Sequence, residues 1–339
     1  MKKVWVLIVC LILAVSVASA EDLDAKKMAA AHKNIKMLKD PKTAHEATVT
    51  LVALKESAVP QLANMAKNAG EKVSFRIAAI DILGDIRSQA ATDTILETLK
   101  DSNVKIRRAS AKTLGKIGDS KAIGGLKETL ADFDTETRLC AVRALVSIKD
   151  PSMGDTYLGL LNDPEASIRM YAIIGLGDLK NERAVEKLSA MITDLNDDVR
   201  MQIAVALGKI RSKRAVEALN MLSQDRNPNV RREALVAIGD IGDQKSVPYL
   251  MTVAERDYKD LRCAAVEALG KIGSQESIPL LKKLLKDEMM DVRIAAIRAL
   301  ARIGGNQFSD ELKPLLTDEN MKVRKEATIA LQGAKETTK

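Results

Sequence analysis

Residues 287–304 read DEMMDVRIAAIRALARIG, and variants of this stretch recur along the chain. Counting from Arg293 in steps of 31 residues reaches an arginine each time, without insertion or deletion. Nine arginines share the register: Arg76, Arg107, Arg138, Arg169, Arg200, Arg231, Arg262, Arg293 and Arg324. A period of this length is typical of a solenoid, whose repeats pack against their neighbours. The 339 residues are therefore predicted to form one repeat array.

The composition and the apolar spacing both indicate helices. Aromatic residues make up only 2% of the chain, whereas helix-favouring Ala, Leu, Lys and Glu are abundant. Apolar residues stand one position before and three, four and seven positions after the repeat arginines. Since these offsets share one helical face, they are the predicted core. Each repeat is predicted as a first helix (residues 122–130, for example), a turn and a second helix.

Glycines also follow the register, eight residues after most repeat arginines. They are Gly84, Gly115, Gly177, Gly208, Gly239 and Gly270. Each costs about 1 kcal/mol of helix propensity relative to alanine. Their recurrence indicates either close backbone contact between helices or early helix ends.

The N-terminus carries the features of a secretory signal peptide. Lys2 and Lys3 precede a long apolar run, and Ala18-Ser19-Ala20 is a small-residue cleavage site. We expect cleavage after Ala20 and a periplasmic or secreted protein. The length of the apolar run leaves a second interpretation, an uncleaved membrane anchor. The predicted organisation is a signal peptide at 1–20, a lead and degenerate capping repeat at 21–69, the regular repeat array at 70–334 and a tail at 335–339.

Charge and cysteine content restrict the classes of function. Removing Lys2 and Lys3 lowers the formal net charge from +7 to +5, and the remaining excess is spread through the repeats. A nucleic-acid surface needs clustered Lys and Arg, so no nucleic-acid partner is predicted. Cys140 and Cys263 lie four repeats apart and are not expected to form a disulfide.

An aspartate stands six residues before most repeat arginines, as in Asp194…Val199-Arg200 and Asp287…Val292-Arg293. The full pattern is Asp, four residues, then Val-Arg-x-x-Ala-Ala-x-x-Ala-Leu-Gly-x-Ile-Gly. Over about residues 42–334 it resembles the HEAT-repeat family, in the short variety found in phycobilin-lyase-type proteins. The resemblance implies an all-α, right-handed α-solenoid of HEAT-type helix pairs.

The resemblance also implies a structural role for the aspartates and arginines. In HEAT proteins they form a ladder that runs from repeat to repeat. Carboxylates near helix N-termini and the donor fork of arginine suit that role. The predicted structural ladder comprises Asp101, Arg107, Asp132, Arg138, Asp163, Arg169, Asp194, Arg200, Asp225, Arg231, Asp287, Arg293, Asp318 and Arg324.

The sequence contains no recognisable catalytic or metal-binding arrangement. Its only histidines are His32 and His45, both near the N-terminus. HEAT-like deoxyhypusine hydroxylases build a di-iron centre from several His-Glu pairs, whereas His45-Glu46 occurs once here. We predict no catalytic residue, no metal, no cofactor and no enzyme activity. The alternative is an accessory subunit or lyase-like protein acting on a prosthetic group or partner enzyme.

The second helices carry the predicted binding face. In HEAT arrays these helices line the concave side, and offsets one, five and nine after the arginine point away from the core. The middle of this face is apolar, and basic residues surround it. The predicted partner-binding residues are Arg108, Lys112, Leu139, Arg143, Met170, Tyr171, Ile174, Met201, Val205, Arg232, Val236 and Arg298.

Two interpretations of this face remain open. As a groove, it would receive an amphipathic helix or extended segment of a protein or peptide partner, with acidic residues meeting the basic flanks. In a strongly curved array, the same residues would simply pack between neighbouring helices. The predicted function is that of an exported, non-catalytic, monomeric scaffold. It would meet a membrane only if the N-terminal segment stays uncleaved.

Overall fold

The structure is a computed structural model that describes residues 23–256 and 259–336. The predicted signal peptide at residues 1–20 lies outside them. The described residues form α-helices, short 3₁₀ helices and turns, and contain no strand. None of their helices is both long and apolar enough to span a bilayer.

The α-helices, numbered in chain order, have the following bounds. They are α1 (23–37), α2 (Ala44–Ala53), α3 (Val59–Lys67), α4 (Val73–Ile86), α5 (Thr92–Thr98), α6 (Val104–Ile117), α7 (Ile123–Thr129), α8 (Thr135–Ile148), α9 (Gly154–Leu160), α10 (Ala166–Asp178), α11 (Val185–Ala190), α12 (Asp197–Ile210), α13 (Val216–Leu222), α14 (Pro228–Ile241), α15 (Val247–Arg256), α16 (Lys259–Ile272), α17 (Ile278–Leu284), α18 (Met290–Gly304), α19 (Ser309–Leu312) and α20 (Met321–Glu336).

The packing divides the chain between Asp150 and Pro151 into two compact units. In the first unit, the second helices α4, α6 and α8 pack in sequence, and α5 and α7 pack against them. In the second unit, α10, α12, α14, α16, α18 and α20 pack in sequence in the same way. Stacked helix pairs of this kind confirm the predicted all-α solenoid class.

The predicted core positions are buried. Ile106, Val199 and Val292, each preceding a repeat arginine, are fully buried. The positions seven residues after the arginines are fully buried as well: Leu83, Leu114, Leu145, Leu176, Leu207, Ile238, Leu269 and Leu300. The helical spacing of the apolar residues therefore identified the core correctly.

Side-chain caps fix the start of several helices. Asn103, Asn196 and Asn227 cap second helices by accepting backbone N–H groups of the first turn. The first helix predicted at 122–130 is α7, Ile123–Thr129, and a 3₁₀ turn at Ser120–Ala122 precedes it. A side chain, Asp119, caps the 3₁₀ turn there.

The recurring glycines mark close contacts between second helices. A Cβ on Gly208 would lie 2.9 Å from the Cβ and 3.0 Å from the Cα of Ala237 on the next second helix. Gly115, Gly177, Gly239 and Gly270 meet the corresponding alanines Ala144, Ala206, Ala268 and Ala299 at 2.7–2.9 Å from the Cα. Of the two sequence interpretations, close backbone contact is confirmed.

Candidate functional site: the second-helix face and its ion pairs

The repeat arginine joins two consecutive repeats through one guanidinium. Arg200 donates from Nε to Asp225 Oδ2 at 2.6 Å, in the next turn, and from Nη1 to the carbonyl oxygen of Asp194 at 2.6 Å, in its own turn. Asp225 in turn accepts the backbone N–H of Asn227 at 2.8 Å. The aspartate therefore shapes its own turn while it binds the preceding repeat. The same ion pair joins Arg76 to Asp101, Arg107 to Asp132, Arg169 to Asp194, Arg262 to Asp287 and Arg293 to Asp318.

These pairs are largely shielded from water and hydrogen-bonded, as a structural role requires. The side chain of Arg200 is 4% exposed and that of Asp225 is 9% exposed. Hydrogen bonds from Arg107 hold the pKa of Asp132 below its ordinary value. The hydrogen-bonding groups of such a pair are occupied by each other, which leaves them unsuited to binding a substrate.

Several ladder residues bind their own turn. Arg138 donates to the carbonyl of Asp132 at 2.9 Å and to Thr135 Oγ1 at 3.2 Å. Arg231 and Arg324 donate to the carbonyl oxygens six residues before them, at 2.9 and 2.7 Å. Asp163 accepts the backbone N–H of Glu165 at 2.8 Å.

A second series of ion pairs follows the face of the second helices. Lys116 binds Asp85, Lys209 binds Asp178 and Lys271 binds Asp240, at 2.6, 2.7 and 2.7 Å. Each pair joins residues 31 positions apart. These three lysines, which stand nine positions after a repeat arginine, are thus each paired with an aspartate of the preceding repeat.

The face of the first unit is charged. Arg108 forms a bidentate ion pair with Asp134, at 2.7 and 2.5 Å, and hydrogen bonds from Arg108 hold the pKa of Asp134 well below its usual range. Leu139 is half-buried, while Lys112 and Arg143 are exposed. These two basic residues line a cavity of about 470 Å³ between α6 and α8, together with Glu136 and Cys140. Burial raises the pKa of the Cys140 thiol, which disfavours its reactive thiolate form.

The face of the second unit carries an apolar group of side chains on α10, α12 and α14. Five predicted side chains, which we call the apolar row, are half-buried: Met170, Ile174, Met201, Val205 and Val236. Tyr171 beside them is half-buried too. Neighbouring helices cover part of each side chain, and the remainder faces solvent.

The predicted basic flanks of the second unit are held by acidic neighbours. Arg232 is exposed and binds Glu233 at 3.2 Å. Arg298 forms a bidentate ion pair with Glu326 at 2.9 and 2.8 Å. Arg108 and Arg298, which were predicted to bind a partner, each form an ion pair that joins neighbouring repeats.

Two basic residues that the sequence analysis did not select lie at the C-terminal end of this face. Lys180 and Arg211 have φ angles of +50° and +61°, and both line a cavity of about 380 Å³ with Lys209, Asp178 and Asp240. The left-handed conformation costs a non-glycine residue about 1–2 kcal/mol. The equivalent positions hold Gly118, Gly242 and Gly273 in three other repeats, and Arg87 and Lys149 in two. Two consecutive repeats with a basic residue at this position, Lys180 and Arg211, are the sequence signal that could have drawn attention to them.

No metal-binding cluster occurs in the part of the chain that the structure describes. No group of three or more His, Cys, Asp or Glu side chains among these residues could hold a metal ion. His32 and His45 are both exposed. Neither described cysteine forms a disulfide.

Comparison with known proteins identifies the family of this helical-repeat chain. The profile described as HEAT repeats matches residues 59–145, 125–205, 188–262 and 253–332. The chain therefore belongs to the HEAT-repeat family. The match is to HEAT repeats in general, and the likeness to the phycobilin-lyase variety stays a prediction. No curated protein matches the chain.

Solved structures share the fold at low sequence identity. An engineered protein is 20% identical, with a TM-score of 0.54, covering 90% of this chain and 99% of its own. YIBA_ECOLI, from Escherichia coli, is 21% identical with a TM-score of 0.54, covering 76% and 96%. A structure of the Kap95:Nup1 complex is 14% identical with a TM-score of 0.67, covering 90% of this chain and 50% of that chain. At these identities the likeness shows the fold alone.

Proposed function

We propose that the chain is an exported, non-catalytic scaffold that binds a protein or peptide partner through the apolar row of its second unit. The observation that carries this proposal is the row itself, in which five apolar side chains on three consecutive second helices each keep part of their surface open. Residues 170, 174, 201, 205 and 236 would be polar on a merely solvated helix face.

The chemistry of the row suits a helical or extended segment. Methionine is unbranched and adapts its shape to different apolar surfaces, which favours binding over rigid packing. A partner helix would place apolar side chains three or four residues apart against the row. Among the structures similar in fold, Kap95 is found in a complex with Nup1, which is consistent with partner binding by a HEAT array.

The proposal is tested by placing charge in the row. In the Met170→Glu/Met201→Glu variant, carboxylates would meet the apolar side of a partner, and we expect capture of that partner to be lost. Wild-type and variant protein are immobilised and exposed to the exported fraction of the source cells, and bound proteins are identified by mass spectrometry. Helical circular dichroism shows whether the variant is folded. If the folded variant still captures the same proteins, the proposal is wrong.

A matched control separates the row from a general effect of added charge. Met221 lies in the same unit but on a first helix, α13, and is 59% exposed. Met221→Glu therefore adds a carboxylate outside the row. We expect this variant to capture the same proteins as the wild type.

Export is a separate part of the proposal and has its own measurement. It is supported by the charged start, apolar run and small-residue site of residues 1–20. Cleavage after Ala20 predicts a mature protein whose first residue is Glu21. Intact-mass measurement of the purified protein would show this, and a mass that includes residues 1–20 would instead support an anchored form.

A further inference from the structure

The cavity of about 380 Å³ in the second unit lies at the end of the apolar row. Met170, Ile174 and Asp178 follow one another at intervals of four residues, so they form one stripe along α10. Met201, Val205 and Lys209 form the equivalent stripe on α12. Asp178 and Lys209 line the cavity. A segment lying on the row would therefore reach the cavity at the C-terminal ends of these two helices.

The charges that line the cavity are not balanced. Asp178 is bound by Lys209, and Asp240 is bound by Lys271, each at 2.7 Å. Within the described residues, neither Lys180 nor Arg211 forms an ion pair. Both acidic groups of the cavity are thus already neutralised, while two cations remain without a counter-charge.

The backbone at Lys180 and Arg211 gives an independent observation. Both residues occupy the left-handed conformation, at φ +50° and +61°. At the equivalent position, three repeats carry Gly118, Gly242 and Gly273, and two others carry Arg87 and Lys149. Glycine adopts this conformation without strain, whereas lysine and arginine do not. At this cavity two long basic side chains thus stand next to each other in positions where glycine would be unstrained.

We propose that Lys180 and Arg211 bind carboxylates of an acidic segment in the partner, whose apolar side chains lie on the apolar row. This inference rests on the proposed function and specifies the chemistry of the partner. The partner segment is amphipathic, with an apolar face for the row and Asp or Glu side chains clustered at the end that reaches the cavity. The acidic groups replace the solvent that now surrounds the two cations.

The experiment uses the full chain and three fluorescein-labelled, 18-residue amphipathic peptides of leucine and glutamine. One peptide is neutral, and the other two carry three glutamates in place of glutamine at the N-terminal or the C-terminal end. Fluorescence anisotropy at low salt measures the dissociation constants. For the wild type, we expect one acidic peptide to bind roughly fivefold to tenfold more tightly than the neutral peptide, because exposed charge pairs contribute modestly. The preference should shrink as salt rises.

Variants that restore glycine provide the decisive comparison. Lys180→Gly/Arg211→Gly relieves the backbone strain, so we expect this variant to fold. Its preference for the acidic peptide over the neutral peptide should fall below about twofold, while its affinity for the neutral peptide stays unchanged. The control is Arg87→Gly, which removes a basic residue at φ +57° in the first unit. This control should keep the full preference.

The outcomes separate this inference from the proposed function. Equal binding of neutral and acidic peptides by the wild type would overturn the inference and leave the apolar row as a binding site. A preference that survives in the double glycine variant, or that Arg87→Gly abolishes equally, would also overturn it. Should the wild type bind none of the peptides, or should Met170→Glu/Met201→Glu bind them as well as the wild type does, the proposed function and the inference would both be lost.

Discussion

Arginines on adjacent positions of one helix have different environments here. Arg107 recurs in every repeat, and its ion pair with Asp132 could be expected from the register alone. Arg108 occupies a variable position, and its bidentate ion pair with Asp134 was missed. Among the described residues, this pair joins one pair of repeats, so no periodic pattern in the sequence predicts it. A residue that departs from the repeat therefore indicates function only once its neighbours in space are known.

Loss of one repeat arginine should be costly. Arg200→Ala would leave the carboxylate of Asp225, which is 9% exposed, without its cation. We expect the free energy of unfolding to fall by about 3–5 kcal/mol, measured by urea denaturation followed by circular dichroism. Arg214→Ala is the control, because Arg214 is 56% exposed and binds the exposed Glu182 and Glu186. Its loss should cost about 1 kcal/mol or less. Similar losses in the two variants would contradict a structural role for the ladder.

The same ion pairs predict how stability depends on pH. Hydrogen bonds from Arg107 lower the pKa of Asp132 in the folded protein. Asp132 therefore binds a proton less readily there than in the unfolded chain, in which an aspartate has a pKa of about 3.9. The stabilisation is present above that value and is lost as the pH falls through the lowered pKa. We expect the urea midpoint to decrease below about pH 5. Asp132→Asn should be less stable than the wild type at pH 7, with a difference that shrinks as the pH is lowered. A constant difference between pH 7 and pH 3 would contradict this.

At the scale of helices, packing outweighs intrinsic propensity. Gly208 lies within α12, where alanine would be the better helix former, yet Ala237 leaves no room for a Cβ. The first helix of the last repeat is shortened for a different reason. α19 ends at Leu312, and the segment Lys313–Thr317, which contains Pro314, is a 3₁₀ helix. Proline removes a backbone donor and disfavours a continuous helix.

Replacement of Gly208 by alanine should therefore destabilise the protein despite the gain in propensity. The added Cβ would lie 2.9 Å from that of Ala237, and we expect a loss of about 1–3 kcal/mol in urea denaturation. Gly159→Ala is the control in the same unit, because nothing lies within 4 Å of its Cβ position on α9. That variant should gain up to about 1 kcal/mol. Stabilisation by both substitutions would show that the helices can separate at no cost.

At the scale of the molecule, the contacts form two units where the sequence shows one register. The boundary between Asp150 and Pro151 follows α8, which carries Val146 at the position where most other second helices carry glycine. The 31-residue spacing of the arginines continues across it without interruption. The spacing of the arginines shows where each repeat begins. How tightly one repeat packs against the next depends instead on the side chains at its surface.

The second unit should fold without the first. Its ion pairs Arg169–Asp194, Arg200–Asp225, Arg262–Asp287 and Arg293–Asp318 are all internal to it. A chain of residues 151–339 is expected to keep a helical circular dichroism spectrum and a cooperative urea transition. A chain that begins at residue 182 is the comparison, since it lacks α10 and leaves Asp194 without Arg169. It should unfold at a lower urea concentration than the 151–339 chain. If the 151–339 chain is itself unfolded, the assignment of residues 151–339 as a unit is wrong.

The sequence by itself determined the fold class, the core and the arginine–aspartate ladder, because all three repeat in register and local spacing decides which helix face is buried. Only the tertiary structure decided which basic residues are paired with carboxylates. Among the described residues, Arg108, Lys209 and Arg298 are bound by carboxylates of neighbouring repeats, whereas Lys180 and Arg211 are not. Pairing across helices depends on distances between side chains that are far apart in the chain, and spacing along the sequence does not record those distances.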